Sequence, residues 1–329
     1  MKNTIRHSFT ILRVALGVGL LYYVLKVNGG WMAAKQLVST KWLLPWLSAV
    51  TVFAAVFEAR RLGVLFGAQG MRLSFVEGYR AVAIAALFNF CIPGGTGGDV
   101  MKLYYLAADS RGRRVEIATL VFVDRATALF CILSLVVALA LLDGRLVWDY
   151  PLIGSLVAAA AVGAVGLLAC GALACSTRLR ESRIYAYLME RAPLRGYLMR
   201  AADALYVFNK NRTALARAAA LAVCGHMALF ILMIAAAKVF MPNAQPLTVC
   251  LLALLGMVAN ALPITPGGLG VGEAAFEGLF RTVGYSGGAR MILAWRVGML
   301  ALCFLGAAFY IAGARRSQAD ETPATFHIT

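Results

Sequence analysis

Apolar stretches of about 20 residues with few charges recur along this chain, and each is long enough to cross a ~30 Å hydrocarbon core as a helix. Inside lipid every backbone N–H and C=O must find a partner within the structure, so such a chain is restricted to helices or a closed barrel. The ~10-residue alternating segments of a membrane barrel do not occur. Hydrophobic residues make up 61% of the 329 and charged ones only 14%, which excludes soluble enzyme folds. The expected fold is an all-α polytopic membrane protein.

Continuous spans are expected at Phe9–Val27, Trp42–Arg60, Val115–Leu142, Leu152–Cys175, Ala214–Val239 and Ala289–Gly313. Two further apolar segments, Phe75–Leu106 and Pro246–Phe280, are each broken near the middle by proline and clustered glycine, which stops one continuous helix. Each reads as a re-entrant hairpin. Broken backbone at membrane depth must be buried in protein or face water, so each break is expected to mark a cavity. Lys2 and Arg6 precede the first apolar run as in a signal peptide, but Arg13 interrupts it and no small-residue cleavage site follows. An uncleaved first helix is expected.

Thirty-one Lys and Arg stand against 15 Asp and Glu, a net charge of +16. The excess lies in short connections, so the positive-inside bias accounts for it better than nucleic acid does. Arg72 and Arg80, the run from Lys102 to Arg114, and the 176–213 connection are basic, whereas the 143–150 loop balances Arg145 against Asp143 and Asp149. Both termini are therefore expected in the cytoplasm, with the two hairpins entering from opposite sides. This divides the chain into a first membrane repeat (1–150), an inverted second repeat (151–315) and a tail (316–329). Within 176–213, arginines alternate with Tyr185, Leu188, Tyr197, Leu198, Leu205, Tyr206 and Phe208. That pattern predicts one or two amphipathic interfacial helices, serving as an inter-repeat linker or as a lipid-recruiting surface.

The breaks themselves support a duplication. The first reads PGGTGGD from Pro93 to Asp99 and the second PGGLGVGE from Pro266 to Glu273; Asn89 and Asn260 precede them, and Arg125 and Arg296 follow at nearly the same distance. Inverted repeats with broken helices meeting near the midplane are the architecture of many alternating-access transporters.

Glycine-rich turns that lead into helices expose backbone N–H groups at a positive dipole end, which suits phosphate. The glycines also allow tight hairpins and close packing, and one reading does not exclude the other. Asp99 and Glu273 stand where an acid caps a helix; near phosphate they would need a cation beside them, and Arg125 and Arg296 are the expected partners, pairing with the acids while keeping donors for a head group. Asp124 and Arg125 are adjacent on one helix and face apart, so at least one must find a partner elsewhere. Arg60 and Arg61 end the second span, where snorkelling accounts for both. Glu277 follows Glu273 by one turn and either joins it or reaches the interface. His226 reads as an internally hydrogen-bonded structural histidine. The seven cysteines show no metal or disulfide spacing, and no catalytic set, metal ligand group or cofactor motif is recognisable.

The segments PGGTGGDVMK (93–102), Asp124-Arg125 and PITPGGLGVGE (263–273) resemble the lysylphosphatidylglycerol synthase transmembrane family, over roughly residues 5–315. That resemblance implies a flippase-like membrane domain in the cytoplasmic membrane of a bacterium, acting on a phospholipid, an aminoacylated lipid, a polyprenyl phosphate or a hopanoid-type lipid. Because the chain ends at Thr329, no aminoacyl-transferase domain and no lysyl transfer are expected. The resemblance carries onto Pro93, Gly94, Gly95, Gly97, Gly98, Asp99, Lys102, Asp124 and Arg125, and onto Pro266, Gly267, Gly268, Gly270 and Glu273. Arg61, Asn89, Asn260 and Arg296 join the expected substrate site through the repeat argument instead. A different reading makes the chain an intramembrane enzyme, or an accessory subunit of a lipid-modifying enzyme in a hopanoid or polyprenyl pathway.

Overall fold

The computed structural model describes residues 35–36, 39–91, 97–108, 112–182, 195–262 and 268–320. Among these residues the regular structure is entirely helical: α1 (Leu43–Ala68), α2 (Phe75–Cys91), α3 (Gly97–Ala107), α4 (Arg114–Leu142), α5 (Gly144–Asp149), α6 (Pro151–Ala174), α7 (Thr177–Arg180), α8 (Arg195–Lys210), α9 (Arg212–Phe240), α10 (Pro246–Asn260), α11 (Val271–Thr282) and α12 (Gly288–Asp320). The starts follow local chemistry. Pro151 and Pro246 occupy the first turns of α6 and α10, where a missing N–H costs nothing. Ser74 and Glu77 form a reciprocal capping box at α2: the Ser74 N–H donates to Glu77 Oε2 at 2.9 Å and the Glu77 N–H to Ser74 Oγ at 3.2 Å.

Among the described residues four helices are long and apolar enough to cross a membrane: α4, α6, α9 and the Gly288–Gly313 part of α12. Of the remaining expected spans, Phe9–Val27 lies outside the described residues, and Trp42–Arg60 corresponds to α1. At 26 residues, α1 is ~39 Å long, but its second half carries Glu58, Arg60 and Arg61. Helices α2, α3, α10 and α11 are individually too short to cross, the longest of them reaching only ~25 Å.

Packing follows a two-fold pattern. The most extensive contact is α1 on α9; α2 packs on both α3 and α12, just as α10 packs on both α11 and α4. Each broken segment thus leans on the last long helix of the other half, and each anchors its own buried core. The larger core joins α4, α6, α9, α10, α11 and α12 and encloses Val249 to Leu254 of α10. A smaller one joins α1, α2 and the first half of α4, with Phe208 of α8 inserted.

Three expectations change at this level. The 143–150 connection carries the short helix α5 rather than loop alone. The last helix continues to Asp320, so the expected tail begins within it. In the 176–213 connection, of which 183–194 lie outside the described residues, α8 does not merely rest at an interface. It buries Ala204 and Phe208, and its Ala204 carbonyl accepts a hydrogen bond from Gln69 beyond the end of α1. Arg180 pairs with Asp203 and covers the Tyr206 ring, clasping α7 to α8.

Candidate functional site

The described site residues fall into two groups, one for each break. Pro93, Gly94, Gly95, Pro266 and Gly267 lie outside the described residues. Gly97 and Gly98 at the start of α3 and Gly268 before α11 are buried, whereas Ala261 and Leu262 on the other side of the second break are exposed.

In the first group, Asn89 near the end of α2 accepts the Gly98 N–H through its Oδ1 at 2.8 Å, tying the two sides of the break. Closeness here is obligatory, because a Cβ on Gly98 would collide with the Ala85 carbonyl oxygen and the Asn89 side chain. From α3, Asp99 pairs with Arg125 of α4, as the sequence predicts, and both remain partly exposed. Asp124 turns the other way. Its Oδ1 accepts from Arg61 Nε at 2.5 Å and its Oδ2 faces Lys102 Nζ at 3.3 Å, with all three residues buried. One carboxylate therefore holds α1, α3 and α4 together. Arg60 remains exposed over the Phe75 ring, but Arg61 does not snorkel: it lies on the inward face of α1, one residue round from Arg60, where water cannot compensate its charge and Asp124 must.

In the second group, Arg296 Nη2 donates to Asn260 Oδ1 at 2.8 Å and to the Gly268 carbonyl at 2.9 Å, spanning the break from end to start. Its Nε meets Glu273 Oε1 at 2.9 Å, an ion contact between two buried side chains. Glu273 also accepts the Gly270 N–H at 2.6 Å through Oε2. Gly270 there has φ 84°, a conformation that disfavours any side chain. Capping and pairing are thus both present in one carboxylate. A Cβ on Gly272 would collide with Asn260 Oδ1 and come within 2.9 Å of Arg296 Nη2.

One supporting residue has a role the sequence did not reveal. Glu277 reaches neither Glu273's partners nor open interface; it accepts from Arg281 Nε at 2.8 Å and from the Gly287 and Ala289 N–H groups at 3.2 and 3.0 Å. It therefore caps α12 from α11, and only its i,i+4 spacing to Arg281 was readable beforehand. His226 has the expected kind of internal contact, Nε2 lying 3.3 Å from the Ala128 carbonyl oxygen.

Long apolar helices, broken short ones and charged groups buried between them define a multi-pass membrane protein with ionic contacts enclosed between its helices. The chain belongs to the family described as the lysylphosphatidylglycerol synthase TM region, which matches residues 10–312. No curated protein and no solved structure matches it.

Proposed function

We propose that the protein moves a lipid with a phosphate-bearing or similarly polar head group between the leaflets of a bacterial cytoplasmic membrane, without covalent chemistry of its own. In this reading six spans and two re-entrant hairpins form inverted repeats with both termini in the cytoplasm; the hairpin tips and adjoining arginines hold the head group while the acyl, polyprenyl or hopanoid part stays in lipid. The observation that carries it is the pairing of Asp99 with Arg125 and of Glu273 with Arg296, one acid–arginine contact beside each glycine-rich break. Charges at membrane depth are expensive and tend to mark substrate paths. The two-fold packing pattern and the membership of a lipid-synthase membrane family support the same reading.

The test is reconstitution of folded protein into liposomes carrying fluorescent phosphatidylglycerol, phosphatidylcholine or polyprenyl phosphate, with a membrane-impermeant quencher to count lipids in each leaflet. Protein-dependent exchange of at least one of these is expected. Folded protein that moves none of them defeats the proposal.

A further inference from the structure

The charges of the two groups do not balance alike. In the second, one arginine faces one acid. In the first, among the described residues, Arg125 pairs with Asp99, and within the buried trio the cations Arg61 and Lys102 share the single carboxylate of Asp124. Glu58, one turn before Arg61, is exposed, and its charge acts on Arg61 from outside the buried trio. An unmatched positive charge beside buried side chains at membrane depth is costly unless an anion joins it. The two contacts to Asp124 are also unequal: Arg61 approaches at 2.5 Å and Lys102 at 3.3 Å. Arg61 alone can neutralise Asp124, and Lys102 is the cation left over.

We propose that Lys102 is an exchangeable latch for a singly charged anionic phosphate group with no ammonium beside it. The anion replaces Asp124 as the partner of Lys102, Arg61 keeps Asp124, and the Lys102 tie between α3 and α4 is broken only while the anion is bound, leaving the partly exposed Asp99–Arg125 pair as the remaining tie. With the anion in place both charge pairs are neutral; without it α3 is held by Asp124. A zwitterionic head group brings its own cation and cannot supply this balance. The inference rests on the lipid-transport reading and narrows its substrate to an anionic lipid.

The experiment measures binding rather than transport, so that it can fail independently of the liposome assay. Purified protein in detergent is titrated calorimetrically with short-chain phosphatidylglycerol, short-chain phosphatidylcholine and inorganic phosphate, and amide exchange is followed over Gly97–Ala107. Phosphatidylglycerol should bind, phosphatidylcholine at least about tenfold more weakly, and amide exchange in α3 should rise on binding. Lys102→Gln should fold, lose about tenfold or more in affinity for the anion, and show raised α3 exchange without it; Lys102→Arg should retain binding. Equal binding of inorganic phosphate supports the site and identifies the phosphate group alone as sufficient, whereas binding of phosphatidylglycerol only makes the lipid the source. Undiminished anion binding by Lys102→Gln, equal affinity for phosphatidylcholine, or unchanged α3 exchange overturns the proposal. So does a Lys102→Gln variant that cannot fold, because Arg61 must then be insufficient for Asp124.

Discussion

In the second hairpin the acid–arginine pair is sealed: the Glu273 side chain is 0% exposed and that of Arg296 6%, whereas Asp99 and Arg125 in the first keep 27% and 43%. Near-identical glycine turns thus lead into two electrostatic environments. Arg296 ties Asn260, Gly268 and Glu273 into one knot, and Glu277 fastens the following helix, so little in the second group is left to rearrange. The first group distributes its charges over α1, α3 and α4 and leaves one pair facing outward. The difference also follows the cores, since α10 runs through the larger one while α2 joins the smaller and α3 only borders it. We read the second hairpin as the fixed side of the molecule and the first as the working side.

The largest expected effect tests the fixed side. Arg296→Gln removes the cation that pairs with buried Glu273, which should cost ~3–5 kcal/mol and appear as poor yield and a marked fall in thermal midpoint. Adding Glu273→Gln should restore much of that loss, because the two residues act as a unit. If Arg296→Gln purifies with wild-type stability, the second hairpin is not the rigid partner and the comparison breaks.

Close packing gives the next effect. Gly272→Ala pushes a methyl into Asn260 and Arg296, and Gly98→Ala pushes one into the Ala85 carbonyl and Asn89. Overpacking of this kind costs ~1–3 kcal/mol. Both variants should lose thermal stability, with Gly272→Ala the worse because its contacts include the charged knot. A Gly98→Ala variant of unchanged stability would indicate that the first break yields to a methyl, sharpening the contrast between a rigid and a yielding hairpin.

What could be read in advance was whatever depends on local pattern. Apolar length foretold α4, α6, α9 and α12, and the proline and glycine breaks foretold the separation of α2 from α3 and of α10 from α11. The pairing of each acid with the arginine of a later helix followed from charge cost at membrane depth. Burial could not be read so directly. Arg60 and Arg61 are the same residue type at adjacent positions, and only the rotation of α1 decides that one lies exposed over Phe75 and the other meets Asp124. The cap that Glu277 places on α12 depends on how α11 turns back, which no spacing rule encodes. Equal sequence spacing likewise made Arg125 and Arg296 look interchangeable, although the packing around them differs.

Glu277→Gln provides a milder probe of the fixed side. The variant keeps an oxygen for the Gly287 and Ala289 N–H groups but loses the charge that favours a helix start, which should reduce stability by about 1 kcal/mol. A calorimetric or fluorescence melt can register that difference. Transport should be nearly unaffected, and a large transport defect at normal stability would move this end of the second hairpin to the working side.

Arg125→Gln should have the smallest effect on folding and a large one on function. Its pair with Asp99 is partly exposed, and ion pairs of that kind contribute ~0–1 kcal/mol, so the thermal midpoint should scarcely move. If the guanidinium holds a head group during translocation, its loss removes a charge-assisted contact of ~1.5–3 kcal/mol, and lipid exchange should fall about tenfold or more. Adding Asp99→Asn distinguishes the two roles of the arginine. Should the double variant regain transport, Arg125 served only to neutralise Asp99, and the first hairpin would resemble the second after all. Persistently low transport in a stable double variant means that the arginine acts on the lipid directly, because the acid no longer needs a partner and the protein still cannot move its substrate.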